Sequence, residues 1–385
     1  MAISGRSRFG QDTPGLLSRP LNRTTPRIFV AATRMNDGKT TTCLGLTAAL
    51  RARGLRVGYI KPIAQRIVQS GDDQVDEDTL LLNSLFSLDI PMAAMSPVAI
   101  GPDFTRQFLE DPAANGPVLL DRICRAFDRA AYDKDIIVVE GSGHAGVGSV
   151  FGASNADNAR MLGCRVVMVA AGGIGKPVDE LAINQALFRQ AGVEVVGAIL
   201  NKVQADKLDF IRDYAGRGLR RLNLPVLGVL PLRENLAYPN LSQVAEETHA
   251  RWLHRPRGNR RVRRVIMGAM SARRSAEYLN KPGTLLIVSG DREKLLGALA
   301  TPEAAKSLAG ILLSNGLLPP EPIVAALTAA GIPLLAVETE AFAVTARINN
   351  MTVKTQAEDD DKIPLIRELV ANHVDLDAIL AAAKA

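Results

Sequence analysis

Gly38-Lys39-Thr40 is the tripeptide of this chain best suited to chemistry. It closes the loop Thr33-Arg34-Met35-Asn36-Asp37, which follows the apolar run Ile28–Ala32. After it comes a stretch with Cys43, Leu46 and Leu50 on one helical face. A strand, a loop and a helix start in that order point backbone N–H groups at an anion, and the helix dipole favours negative charge there. The backbone at Thr33, Asn36, Asp37 and Gly38 can line such a cradle, with Lys39, Thr40 and Thr41 in the first helical turn. Lys39 can reach terminal phosphates, and the Thr40 hydroxyl can ligate magnesium. The complete phosphate-loop pattern has Gly five residues before Gly38, where this chain has Thr33. A capped strand–loop–helix carrying a surface lysine is the alternative.

Other polar groups stand in equivalent places. Lys61 follows Val57–Ile60, Glu140 follows Ile136–Val139, Gly172-Gly173 follows Val166–Val169, and Asn201 follows Val195–Leu200. A sixth apolar run, Pro225–Leu230, ends at Pro231. The runs are apolar throughout rather than alternating, and helical stretches separate them. That is the pattern of a parallel sheet buried on both faces, and such sheets bind ligands at the carboxyl ends of their strands. Asp78 closes the polar stretch Ser70–Asp78 and opens a helix with Leu80, Leu81, Leu85 and Leu88; residues 103–131 read as helix interrupted near Asp111-Pro112. A second alternation has strand-like runs at Val265–Met267, Leu285–Val288, Ile311–Leu313 and Leu334–Val337, with polar turns at Gly290-Asp291-Arg292 and Ser314-Asn315-Gly316. The expected fold is therefore α/β: a doubly wound, mostly parallel sheet followed by a second, smaller α/β domain. The expected boundaries are a flexible tail at 1–26, a ligand-binding domain at 27–250, a basic linker at 251–264, and the second domain with C-terminal helices at 265–385. The acidic run Glu358–Asp361 reads as favourable charge at a helix start.

The formal net charge of +6 is unevenly placed. Met1–Arg27 has five arginines against one aspartate, and Arg251–Arg264 has seven arginines and no acid, so the remainder is acidic on balance. Only Trp252 interleaves the second cluster, and no recognition motif accompanies it, so a solvated linker is expected and nucleic-acid binding is not. Hydrophobic residues make up 47% of the chain, enough for sizeable cores, while aromatics at 4% leave packing to aliphatic side chains. No apolar run reaches membrane-spanning length, and residues 1–27 lack the core of a signal peptide. Cys43, Cys124 and Cys164 are too few and too scattered for a disulfide framework or a zinc site. A cytoplasmic setting without membrane contact is expected.

Residues 28–231 resemble the dethiobiotin synthetase group of P-loop proteins, with cobyrinic acid diamide synthases as more distant relatives. The matches are Ala32-Thr33 followed by Gly38-Lys39-Thr40, then Lys61-Pro62, Asp78 before a Leu-rich helix, Glu140-Gly141, and Asn201 at a strand end. Residues 262–355 resemble the DRTGG domain through Asp291-Arg292 and Ser314-Asn315-Gly316. The two modules in this order are similar to the N-terminal part of long phosphate acetyltransferases, and the acetyltransferase domain of those enzymes has no counterpart before Ala385. The resemblance implies ATP and Mg2+ as ligands, with Thr40, Asp78 and Glu140 at the metal. Asp76 is the alternative ligand, and helix capping the alternative role for Asp78. It further implies that Asn201 reads the adenine, unless it only makes a strand-end turn, and that Lys61 contacts a carbamate or carboxylate undergoing phosphorylation, unless Lys61 simply pairs with Glu140 or Asp78. Arg34 takes the position where partition-type ATPases carry a lysine that reaches across a dimer and could clamp a phosphate, with a solvated loop arginine as the alternative; Arg34, Lys39 and Lys61 are the catalytic candidates. The loop Gly141-Ser142-Gly143-His144 departs from the paired glycines of the synthetases, which puts the biotin-precursor substrate in doubt. The expected protein is a magnesium-dependent ATP-binding homodimer whose DRTGG domain senses a small-molecule effector or dimerises. The alternative is an ATP-dependent ligase acting on an unidentified small-molecule substrate.

Overall fold

The computed structural model describes residues 15–255, 258, 260–269, 279 and 281–384. They form two compact units: one runs to Leu232 and resumes at Asp360, and the other is Arg233–Asp359.

In the first unit, six strands are hydrogen-bonded in parallel: β1 (Arg27–Ala32), β2 (Val57–Ile60), β3 (Ile136–Glu140), β4 (Arg165–Ala171), β5 (Val195–Val203) and β6 (Val226–Pro231). Their order is β6-β5-β4-β1-β3-β2. The connecting helices include α1 (Lys39–Ala52), α2 (Glu77–Phe86), α3 (Pro112–Ala131), α4 (Asn155–Leu162), α5 (Gly175–Gln190) and α6 (Leu208–Arg220). The six apolar runs read from sequence are the six strands, and β1, β2 and β3 are buried along their whole length. From β1 the chain winds towards β2 on one side, and after β3 it crosses to β4 on the other. The crevice at this reversal opens at the carboxyl end of β1, where a doubly wound sheet takes its ligand. The polar stretch after Lys61 contains a hairpin, Ile67–Ser70 paired with Asp73–Asp76, that the sequence pattern did not reveal.

The second unit holds α7 (Leu241–Thr248), β7 (Arg251–His254), β8 (Arg264–Met267), β9 (Thr284–Ser289), α8 (Glu293–Leu299), β10 (Leu308–Ser314), α9 (Glu321–Ala329), β11 (Leu334–Ala336) and α10 (Ala341–Asn350). Its strand order is β7-β11-β10-β9-β8, with only β7 antiparallel to its neighbour. Alternate residues feed two cores. Leu286, Val288, Ile311 and Leu313 pack with Leu295, Leu296 and Leu327, while Leu285, Ile287 and Leu312 pack with Leu241, Val244, Val344 and Ile348.

The chain divides at other places than the sequence suggested. The arginine-rich stretch is part of the second unit and not a linker. Arg251–His254 is its edge strand, and the Arg260 guanidinium donates to the carbonyls of Ala305 (2.6 Å), Leu308 (2.9 Å) and Gly331 (3.0 Å). Arg261 pairs with the buried carboxylate of Asp359 at 2.9 Å. Asp359 therefore serves the second unit, while Asp361 of the same acidic run stands at the start of the next helix. Positions 256, 257 and 259 of the stretch lie outside the described residues, as do the first fourteen residues of the expected tail. The rest of that tail is docked. The backbone N–H of Leu17 donates to Asp121, and those of Leu21 and Asn22 donate to Asp128, all on α3.

The C-terminal helices α11 (Lys362–His373) and α12 (Leu376–Lys384) belong to the first unit, where α11 lies along α1. The contact is close because Gly45 has no side chain: a Cβ there would run into the Val370 side chain and stand 3.2 Å from the Ile366 carbonyl oxygen. In an exposed helix Gly→Ala gains about 1 kcal/mol from helix propensity. Overpacking of a tight contact costs about 1–3 kcal/mol and outweighs that gain. Gly45→Ala is therefore expected to lower the stability of the first unit by up to about 2 kcal/mol in urea denaturation. A stability increased by about 1 kcal/mol, the bare propensity gain, would show that α11 does not seat against α1.

Candidate functional site

The loop between β1 and α1 turns into the helix at Gly38, whose φ of 105° and ψ of 30° lie in the left-handed region that a side chain disfavours. The Asp37 carboxylate folds back into the loop. It accepts from the Thr33 hydroxyl at 2.7 Å and from the Arg34 N–H at 2.9 Å. Asp37 thus shapes the loop with its side chain, and only its backbone is available to an anion. Asn36 is exposed and left-handed, with φ 65°. Lys39 is buried, its ammonium 3.4 Å from the Arg34 carbonyl, and burial lowers its pKa, against the pull of Glu140. Thr41 is half-buried in the first turn of α1.

Arg34 does not reach outward. Its guanidinium pairs with Glu180 of α5, which also lies 3.4 Å from the Thr33 hydroxyl. Nothing in the sequence singled out Glu180, because a carboxylate one turn inside a helix has no local signature. Asn201 at the end of β5 donates its amide to the Asp37 carbonyl at 2.8 Å and accepts from the Lys202 N–H at 2.8 Å. Lys202, which the sequence reading passed over, donates to the Asn36 carbonyl at 2.6 Å.

Beside the loop lies a buried charge cluster. The Thr40 hydroxyl donates to Glu140 at 2.9 Å, and the Tyr59 hydroxyl donates to the other oxygen of Glu140 at 2.9 Å. Tyr59 precedes Lys61 by two positions and so projects from the same side of the extended chain. The Lys61 ammonium donates to Asp76 at 2.8 Å and to Asp78, and stands 3.9 Å from Glu140. Burial would lower the Lys61 pKa, but Asp78, Glu140 and Asp76 together raise it well above 10.5. Burial, reinforced by Asp78, raises the pKa of Glu140 against the opposing effects of Lys61, Thr40 and Tyr59. Asp76 is the helix cap: it accepts from the Asp78 N–H at 3.0 Å and from the Gln65 N–H at 3.0 Å. The structure thus gives capping to Asp76 rather than Asp78.

The oxygen donors Thr40 and Glu140 suit a hard cation. Their 2.9 Å separation is that of a hydrogen bond from the Thr40 hydroxyl to the carboxylate. Among the described residues no three or more His, Cys, Asp or Glu side chains are arranged to hold a metal unaided. Magnesium is bound through one or two carboxylates plus substrate phosphates and water, so this sparse set still fits it. The loop after β3 is held from behind. Asn155 of α4 donates to the Ser142 and His144 carbonyls, each at 2.7 Å, and Asn184 of α5 accepts from the Ala145 N–H at 2.8 Å. The His144 side chain is exposed.

Comparison with known proteins matches residues 26–240 to the model of an AAA domain family and residues 243–351 to the DRTGG domain. The chain is 29% identical over 371 residues to the phosphate acetyltransferase of Pseudomonas aeruginosa, covering 91% of this chain and 51% of that protein. For the phosphate acetyltransferase of Nitrosomonas europaea the identity is 27% over 362 residues, covering 90% and 50%. The chain therefore spans about half the length of these curated relatives. Among solved structures, the septum site-determining protein MinD of Pyrococcus horikoshii, complexed with Mg-ADP, matches 55% of this chain and 83% of its own, at 17% identity and a TM-score of 0.36. The CBS and DRTGG domains of the Clostridium perfringens pyrophosphatase regulatory region match 43% of this chain and 78% of their own, at 16% identity and a TM-score of 0.26.

The charge cluster makes Lys61 costly to remove. Lys61→Met would leave Asp76 and Asp78 buried without their ammonium, and breaking a buried ion pair costs about 3–5 kcal/mol. A group whose pKa is raised on folding contributes its full stability below its unfolded value, here 10.5. The difference between wild type and Lys61→Met in urea denaturation should therefore be as large at about pH 9 as at about pH 7. A loss under about 1 kcal/mol would show that the pair is open to solvent.

Proposed function

Since the chain belongs to the AAA domain family, we propose that its first unit binds ATP with a magnesium ion. We further propose that its DRTGG domain senses a small effector or dimerises the protein in the cytoplasm, in the service of phosphotransacetylase-type metabolism. The observation that carries the nucleotide reading is the loop at the carboxyl end of β1. The left-handed Gly38 turns the chain into α1, Lys39 opens the helix at the switch point of the sheet, and Thr40 already meets Glu140. The loop N–H groups and the N-terminus of α1 would hold the phosphates, and Lys39 would sit against the terminal ones. Thr40 and Glu140, with Asp78 next in reach, would hold magnesium, which supplies charge neutralisation of the phosphate oxygens. Arg34 would join the phosphates only on leaving Glu180.

The rival reading is a ligase that uses ATP to activate a carboxylate or carbamate. It needs Lys61 to receive an anionic substrate, whereas the Lys61 ammonium is engaged by Asp76 and Asp78. That favours nucleotide binding without a Lys61-dependent transfer. Phosphate release that depends on one added carboxylate or amine would reverse the preference.

Calorimetric titration of ATP tests the main reading. Lys39→Ala should lose affinity by roughly 10- to 150-fold, since a charge-assisted hydrogen bond contributes about 1.5–3 kcal/mol. Glu140→Gln should bind ATP with little difference between magnesium and a chelator, while the wild type binds more tightly with magnesium. Equal ATP affinity in wild type and Lys39→Ala would end the phosphate-loop assignment. An unaltered magnesium dependence in Glu140→Gln would remove that carboxylate from the metal.

A further inference from the structure

An N–H cradle works only if its peptide planes are turned the right way. Across a trans peptide the C=O and N–H point in opposite directions, so an N–H aimed at an anion sends its carbonyl to the back of the loop. Those carbonyls then need donors. In this chain the Asp37 carbonyl, which shares a peptide with the Gly38 N–H, receives the Asn201 amide at 2.8 Å. The Asn36 carbonyl, which shares a peptide with the Asp37 N–H, receives the Lys202 ammonium at 2.6 Å. Both donors come from consecutive residues at the end of β5, on the far side of β4 from the loop's own strand.

We propose that Asn201 and Lys202 are positioning residues of the phosphate loop, which fix the direction of the Gly38 and Asp37 N–H groups from behind. This goes beyond a base-reading role for Asn201 and rests on the nucleotide reading of the same site. Three features make the arrangement specific. The Asn201 carboxamide is oriented by its other end, which accepts from the Lys202 N–H at 2.8 Å. Gly38 leaves it room, because a Cβ at that position would run into the Asn201 amide nitrogen. Lys202 has φ 60°, and this backbone conformation follows directly on a buried Asn201. An amide nitrogen carries two hydrogens, so a bond to the loop leaves a second donor for a base. The strand end that would meet the base is therefore tied to the loop that would meet the phosphates.

A ligand without a base separates positioning from base reading. ATP and inorganic tripolyphosphate, each with magnesium, are titrated calorimetrically into full-length wild type, Asn201→Ala and Lys202→Met. Each variant should weaken tripolyphosphate by the same factor as ATP: about tenfold for Asn201→Ala, which strips a buried carbonyl of its donor, and several-fold for Lys202→Met, whose bond to Asn36 is exposed. Lys202 is exposed, so Lys202→Met keeps the test open if Asn201→Ala fails to fold. Its loss should persist at about 1 M salt, where a bare charge effect is screened. If both variants keep wild-type affinity for tripolyphosphate while ATP affinity falls, the two residues read the base and the inference is overturned. A wild type that binds neither ligand overturns the nucleotide reading itself, and this inference with it.

Discussion

Two lysines and three carboxylates are buried together where β1, β2 and β3 end, and each charge must find a partner there. Burying an ionised group unpaired is far costlier than any single packing contact in the unit. Lys61 answers for Asp76 and Asp78, and Glu140 is held by Thr40 and Tyr59 with Lys61 3.9 Å away. The acids outnumber the lysines by one, and burial with the Asp78 charge raises the Glu140 pKa. The cluster thus has an unmet preference for positive charge beside the phosphate loop. Lys39 shares this acidic surrounding: it feels the pull of Glu140, while its ammonium donates to the Arg34 carbonyl at 3.4 Å. The proposed phosphate with a divalent cation would bring charge of both signs to this cluster.

Much of this was legible in the sequence, for a reason of geometry. A parallel sheet buried on both faces writes itself as uninterrupted apolar runs, and the first polar residue after each run necessarily stands at the ligand edge. Lys61, Glu140 and Asn201 were readable on that ground, and Lys202 was readable on the same ground but passed over. Their partners were readable only in part: Asp78 was named as a pair for Lys61, whereas Tyr59 beside Glu140 and Glu180 beside Arg34 were not. Glu180 reaches Arg34 from another helix, and Tyr59 is hidden inside a strand run. Sequence order carries no trace of such pairings, because the fold alone sets which side chains meet. The same limit blurred Asp76 and Asp78. Two carboxylates on either side of Glu77 look alike until the direction of the helix start shows that one of them caps it.

The arginine-rich stretch misled for a different reason. Charge density in a sequence suggests solvent, since like charges repel and water pays nothing to hold them apart. Arginine escapes that rule because its planar guanidinium donates up to five hydrogen bonds and is only weakly hydrated. Arg260 closes three backbone carbonyls in the second unit, and Arg261 reaches the buried Asp359. A lysine offers no such fork, so a cluster of lysines in the same place would have fitted the linker reading better. Trp252 was the cue to the strand: with Leu253 it gives the edge strand an apolar middle between Arg251 and His254.

The C-terminal helices show why domain boundaries cannot be read from order along the chain. By position α11 and α12 follow the second unit, but their apolar faces are answered elsewhere. Ile366, Leu369 and Val370 are buried, and Gly45 on α1 is the gap that receives Val370. The register of that contact places α11 on the helix that opens with Lys39. The phosphate loop is thereby supported twice within one unit: from the end of β5 through Asn201 and Lys202, and along α1 through a helix more than three hundred residues later in the chain. A loop with left-handed residues at Asn36 and Gly38 has little intrinsic preference for one shape. Its shape in this protein is imposed by what stands behind it.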